Sequence, residues 1–254
     1  MAKVHESVVL PTLFGDRIER VASVVDDHTV PIDNSSDASY ALSSDGRRWV
    51  RKSVMNTGCQ PLLAEALGLL LGRELKAPVP EGAISGEGND ASWLSRVVQP
   101  VTHWNSSRVH FIVNMDALGR LMTLDAILHN GDRHAGNILL QPDPTHLELR
   151  AWGIDMGNAL VGHPKDFAQA ALSTPDVRNL ARGLPVDLLQ EGALLAAEAA
   201  RNLSSTFAHM IVQEACRLAL EPEEALLAGA LWMRLQRASS IVEEYLDKIR
   251  TTSL

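Results

Sequence analysis

The sequence predicts an α+β fold of two lobes, a small β-rich lobe over residues 1–99 and a larger α-helical lobe over 100–254. Two observations predict it. Short runs rich in Val and Ile, broken by Pro, Gly and Asp, dominate the first part of the chain. Ala- and Leu-rich segments with apolar residues at three- and four-residue steps dominate the part after about residue 100. At 254 residues and 46% hydrophobic content, the chain can fill one large core or two lobes.

The elements follow in order. "ESVVLPTLFG" and "IERVASVVDDHTVPI" read as strands. Asp45-Gly46, between "SYALSS" and "RRWVRKSV", marks a hairpin, because Gly takes the positive φ that such turns need. A helix spans Pro61 to Lys76, with Leu62, Leu63, Ala66, Leu67, Leu70 and Leu71 on its apolar side. "APVPEG" ends it, since Pro cannot continue a helix and restricts the residue before it. "GEGNDASWLSRVVQPV" reads as a loop and a strand. "NMDALGRLMTLDAILHN" places Leu118, Leu121, Met122, Asp125 and Leu128 along one helical stripe. Two short β-prone pieces follow, "NILLQ" and "LELRAWGID". The tail is two long helical runs, "DLLQEGALLAAEAARNLSSTFAHMIVQEACRLAL" and "PEEALLAGALWMRLQRASSIVEEYLDKI". Pro222, Glu223 and Glu224 suit the start of the second.

Composition removes several function classes. The net charge is −8, from 23 Lys and Arg against 31 Asp and Glu, which argues against nonspecific binding to nucleic acid or anionic membranes. The two cysteines, Cys59 and Cys216, lack CxxC spacing, so a disulfide scaffold and a zinc ribbon are not expected and a reducing cytoplasm is the default compartment. The N-terminus lacks the apolar core of a signal peptide, and no apolar run reaches the roughly 18 residues of a membrane span.

The chemistry concentrates in "HNGDRHAGNILL", His129 to Leu140, and "GIDMGN", Gly153 to Asn158. Asp132 and Asn137 are five residues apart, and Asp155 lies 18 residues beyond Asn137. That order suits phosphoryl transfer from a nucleotide. Asp132 would orient an acceptor hydroxyl and take its proton, while Asn137 and Asp155 would supply hard oxygens to Mg²⁺ against the triphosphate of ATP. Lys52 ends the strand after the hairpin, and Glu65 sits 13 residues later on the helix. A Lys held by a Glu on the adjoining helix would serve the α- and β-phosphates. "DNSSDASYAL" stands where a loop would cover the phosphates. It has no glycine, so contacts would come from Ser35, Ser36 and Ser39 and from backbone N–H groups. "WLSRVVQ", ending in Val97, Val98 and Gln99, would be the hinge strand that offers backbone groups to adenine.

"GDRHAGN…IDMG" resembles the GDRHxxN…DxG pattern of phosphatidylinositol 3- and 4-kinases and of HipA-like kinases. "LLAEALGLLLGRELKAPVPEG" is similar to a segment of short bacterial HipA-like kinases whose helix ends in Leu-x-x-Pro-x-Pro. The resemblance runs from about Asp33 to Asn158. It implies a two-lobed kinase fold with ATP in the cleft, Asp132 as catalytic acid/base, His134 as a structural or orienting residue in the loop, Asn137 and Asp155 as Mg²⁺ ligands, and Lys52 as the phosphate cation. In some relatives a serine in the phosphate-covering loop is autophosphorylated, and Ser36 or Ser39 is the candidate for that position. The longer HipA proteins carry an extra N-terminal region, for which these 254 residues are not expected to have room. Aminoglycoside phosphotransferases are a neighbouring resemblance through their HGDxxxxN loop.

Plainer readings compete. Asp, Asn and Gly also make ordinary turns. His129, His134 and Asp132 would make a zinc site only with a further ligand. Lys52 has Arg47, Arg48 and Arg51 around it as a solvated strand end, and Glu74 competes with Glu65. The preferred acceptor is a protein Ser or Thr; a small molecule or phosphatidylinositol is the alternative. A nucleotide-binding pseudokinase is the reading from another class.

Overall fold

A computed structural model describes residues 17–27 and 38–252. The strand expected at "ESVVLPTLFG", the residues 28–32 of the next run, and Ser35 and Ser36 lie outside the described residues. The described residues form two compact units. One takes in residues up to Gly58 together with Glu81–Val97; the other takes in Cys59–Pro80 and the chain from Val98 onward. The chain therefore does not divide at a single point near residue 99. The helix that follows the hairpin belongs to the second unit, because its leucines pack on later helices.

The first unit is a six-stranded mixed sheet in the order β1-β5-β6-β4-β3-β2. Its strands are β1 (Glu19–Arg20), β2 (Val24–Asp26), β3 (Ala38–Ser43), β4 (Arg48–Ser53), β5 (Gly82–Ser85) and β6 (Ser92–Arg96), and a single helical turn, α1 (Val54–Thr57), follows β4. Among the described residues of this sheet, only the β1–β5 pair is parallel. The β3–β4 hairpin turns at Asp45-Gly46, with Gly46 at φ 81 and its N–H donating to Ser43 C=O at 2.9 Å. The Asp45 carboxylate accepts from Ser43 Oγ at 2.5 Å and from the Arg47 N–H at 3.1 Å, which closes the turn. Trp49 packs with Val21, Ala83 and Leu94. The guanidinium carbons of Arg47 and Arg96 stand 4.9 and 5.6 Å from its ring centroid, and its indole N–H donates to Ser43 Oγ at 2.9 Å. The buried indole is thus both stacked and hydrogen-bonded.

The second unit begins with α2 (Cys59–Leu75), two residues ahead of the expected start and one short of the expected end. Leu62, Leu63, Ala66, Leu67, Leu70 and Leu71 are buried as their spacing predicts, and so are Ala64, Glu65, Gly68 and Leu69. Buried leucines of this kind are worth about 1.5–3 kcal/mol each, which is why the helix stays with this core. A three-stranded antiparallel sheet, β7 (Thr102–His103), β8 (Ile138–Pro142) and β9 (Leu149–Gly153), carries the polar motif. The helices are α3 (Met115–Leu128), α4 (Pro164–Gln169), α5 (Val186–Arg201), α6 (Ser205–Ala219), α7 (Glu224–Gln236) and α8 (Ala238–Thr252). Each expected tail helix is two. Ser204 breaks the first, its Oγ accepting from the Phe207 N–H at 3.1 Å to cap α6, and Arg237 separates α7 from α8. Helices α3 and α5 cross at two glycines. A Cβ at Gly119 would sit 2.2 Å from Leu189 O, and one at Gly192 would sit 2.1 Å from Asp116 O. Thr123 Oγ1 donates to Ala193 C=O at 2.8 Å across the same crossing. That contact fixes the helix whose C-terminus leads into the polar loop.

Candidate active site

Helix α3 ends at His129, a residue in the left-handed conformation with φ 55. Such an ending turns the chain out of the helix. The Asn130 N–H donates to Asp125 C=O at 2.8 Å, and the Asn130 side chain donates to Asp125 Oδ1 at 2.8 Å. Asn130 Oδ1 in turn accepts from the Asp132 N–H at 3.1 Å. Arg234, fully buried on α7, donates to the carbonyls of Ala126 and Ile127 at 2.6 Å each, and to those of Ala170 and Ser173 at 2.7 and 2.8 Å. It satisfies the orphan carbonyls at the end of α3. Burial lowers its pKa to about 10, still far above neutrality.

Arg133 is the hub of the loop and has no solvent exposure. Its Nε and Nη2 donate to Asp125 Oδ2 and Oδ1 at 2.9 and 2.8 Å, a two-pronged pair. Nη1 donates to Asn137 C=O at 2.9 Å and to Ile154 C=O, and Nη2 lies 2.9 Å from Met156 Sδ. Burial acts to lower the Arg133 pKa, but the Asp125 carboxylate outweighs it and the net direction is upward. One side chain thus ties α3, the loop 132–137 and the segment 154–156 together.

The register of β8 and β9 brings the candidate metal ligands to one end of a ribbon. Ile138 pairs with Gly153, and the Ile154 N–H donates to Asn137 C=O at 3.1 Å. Asn137 therefore enters β8 beside the point where Asp155 leaves β9. Asn137 is buried, and its side-chain NH₂ donates to Asp132 C=O at 2.9 Å, which turns Oδ1 the other way. Asp155 holds φ 60, and its Oδ1 accepts from the Gly157 N–H at 3.2 Å. A left-handed non-glycine residue costs about 1 kcal/mol or more and is held only where its surroundings demand it. Met156, next to it, packs where a side chain on Gly68 would stand: a Cβ there would lie 2.7 Å from Met156 Cγ. The Asp132 carboxylate accepts from Asn158 Nδ2 at 2.7 Å. Asp132, Asn137 and Asp155 are thus gathered in one loop system, with Asn158 joining its two halves.

An amide oxygen and a carboxylate fit Mg²⁺, a hard cation that takes few protein ligands and completes its shell with water and phosphate. The zinc reading is not supported by the geometry. Exposed His134 accepts from the Gly136 N–H at 3.0 Å on Nδ1 and caps the 3-10 turn Ala135–Asn137, while His129 Nε2 lies 3.1 Å from Ser173 Oγ. Burial, reinforced by the charge of Arg234, pushes the His129 pKa down to about 4. Among the described residues, no group of three or more His, Cys, Asp or Glu side chains is arranged to hold a metal ion.

The candidates of the first unit are placed as follows. Lys52 lies on β4, opposite Ala38 of β3 and Trp93 of β6. Ser39 pairs with Arg51 instead, and its Oγ lies 3.4 Å from Asp26 Oδ1. Successive strand residues alternate faces, so Ser39 and Lys52 point to opposite faces of the sheet and the structure does not bring them together. The Val97 N–H donates to Arg48 C=O at 3.2 Å, so that group is taken by the sheet. Val98 is half-buried, and Gln99 C=O accepts from Gln141 Nε2 at 3.3 Å. In the second unit Glu65 is buried and Glu74 is exposed, so Glu65 is not a solvated helix residue. Arg133 within GDRHxxN and Asn158 at the end of GIDMGN carry no role in the reading from sequence, nor does Asn130; Asp125 on the apolar stripe of α3 is the sequence signal of the buried partner of Arg133.

Comparison with solved structures places this architecture. The proinflammatory kinase CtkA of Helicobacter pylori superposes with a TM-score of 0.59 at 11% identity, covering 93% of this chain and 100% of its own. HipA of Shewanella oneidensis MR-1, in complex with HipB and operator DNA, gives a TM-score of 0.41 at 12% identity over 99% of this chain and 70% of its own. Rio2 kinase of Chaetomium thermophilum, in an ADP/Mg²⁺-phosphoaspartate complex, gives 0.39 at 14% identity over 91% and 72%. The CtkA superposition shows a two-lobed α+β fold of the protein-kinase type. No protein-family profile matches the chain, and no curated protein matches it.

Proposed function

We propose that this chain is an ATP- and Mg²⁺-dependent phosphotransferase of the HipA-like kind, transferring the γ-phosphate to a protein Ser or Thr hydroxyl. The observation that carries the reading is the register of β8 and β9, which sets Asn137 beside Asp155 while the Asn137 amide holds the backbone of Asp132. Asp132 would orient the acceptor hydroxyl and take its proton. Asn137 Oδ1 and the Asp155 carboxylate would hold Mg²⁺, which when bound offsets the charge of the phosphates. Lys52 would steady the α- and β-phosphates, with Glu65 as its candidate partner. His134 would order the loop. Most of the barrier reduction would come from positioning and charge compensation.

The test has two arms. Asp132→Asn should lower Mg²⁺-dependent ATP turnover by roughly 10²- to 10⁴-fold, the usual contribution of a general base, with Mg·ATP affinity retained. Asp155→Ala should weaken Mg·ATP binding measured by calorimetry. Unchanged turnover in the first variant contradicts the role of Asp132, and unchanged affinity in the second contradicts that of Asp155.

A further inference from the structure

The backbone of Asp132 is fixed on both sides, by Asn130 Oδ1 on its N–H and by the Asn137 amide on its carbonyl. These bonds place the residue but do not set the rotation of its carboxylate. That rotation matters for a base, because only one oxygen can face an acceptor hydroxyl. The side chain of Asn158 acts on it: Nδ2 stands 2.7 Å from Asp132 Oδ2, 26 residues away in sequence. A donor on Oδ2 leaves Oδ1 for a second partner.

Asn158 does not act from a loose loop. It lies inside the turn that the Ala159 N–H closes on Met156 C=O at 2.9 Å, just after the Gly157 N–H donates to Asp155 Oδ1 at 3.2 Å. Met156, 3% exposed, anchors the same turn beside Gly68 and contacts Arg133 through sulfur. The orientation of the acid/base carboxylate is therefore mechanically joined to the loop of the candidate metal ligand.

We infer that Asn158 is the positioning residue for Asp132, fixing its carboxylate so that one oxygen is presented to the acceptor hydroxyl; this rests on Asp132 being the acid/base of a phosphotransferase. Uncharged Asn suits the task. Asp at the same position would set two carboxylates against each other, and Ala would leave the carboxylate free to rotate.

The experiment uses the full chain with Mg²⁺ and γ-labelled ATP, reading transfer to the chain itself, to a mixed pool of Ser and Thr peptides, and to water. Asn158→Ala should lower kcat by roughly 10- to 100-fold, the scale of a misplaced reacting group, with KM for ATP and the melting temperature as in wild type. Asn158→Asp should lose more than the Ala variant, and Asn158→Gln, which keeps an amide donor, should lose less. An Ala variant with wild-type kcat overturns the inference while leaving the phosphotransferase reading intact. A rise in KM for ATP that accounts for the whole loss also overturns it. A wild-type chain that transfers phosphate to none of the three acceptors overturns the phosphotransferase reading and this inference with it.

Discussion

Arg133 spends its whole hydrogen-bonding capacity inside the protein. Its charge is matched by Asp125, and its remaining N–H groups reach two loop carbonyls and a sulfur. A buried pair of this kind adds little net stability, since desolvation offsets the attraction, but removing one partner strands the other charge. Arg133→Met should therefore destabilise the chain by about 3–5 kcal/mol, read from the urea midpoint. The double variant Asp125→Leu/Arg133→Met should recover only part of that, because the Ile154 carbonyl loses its Arg133 donor at about 1–3 kcal/mol, while the Asn137 carbonyl keeps the Ile154 N–H. A double variant as weak as the single one would show that charge stranding is not the dominant cost. At this scale the sequence was partly readable. The spacing of Asp132, Asn137 and Asp155 could be seen directly, and the ribbon register explains it. The pairing of Asn158 with Asp132 could not, because a contact between side chains 26 residues apart leaves no periodic trace. The face that Ser39 takes was hidden for a related reason: it depends on the register, which composition does not encode.

Elements were legible where local chemistry sets them. Asp45-Gly46 marks the hairpin because the turn needs a positive φ, and Gly46 has it. The break at Ser204 was marked by a capping serine, yet the Ala- and Leu-rich runs on either side masked it. What packs against α2 was not legible, since nearly all its faces are buried and periodicity cannot name the partner. Glycines separate the two sources of helix stability. Gly192 faces backbone, with Asp116 O 2.1 Å from a built Cβ, whereas Gly229 on α7 has nothing within 4 Å. Ala gains about 1 kcal/mol over Gly in a helix interior, which should raise the melting temperature of Gly229→Ala. The same substitution at Gly192 forces α3 and α5 apart at a cost of about 1–3 kcal/mol or more, so its melting temperature should fall. Equal shifts at both positions would contradict the close crossing.

For the molecule as a whole, the division into a β unit and a helical unit was visible in composition, and the superposition on CtkA shows a kinase-type fold. The position of the boundary was not visible, because α2 follows the hairpin in sequence and packs with the later helices. Among the described residues no helix is long and apolar enough to cross a membrane. The central claim is that the loop system around Asp132 transfers phosphate. Incubation of the whole chain with Mg·ATP, with ADP release and intact mass followed together, tests it most directly. The account predicts Mg²⁺-dependent ADP formation, with phosphoryl mass gained on the chain or on an added Ser/Thr peptide pool, and loss of both in Asp132→Asn. Wild-type protein that forms no ADP, or an Asp132→Asn variant that forms it as fast, would contradict the account.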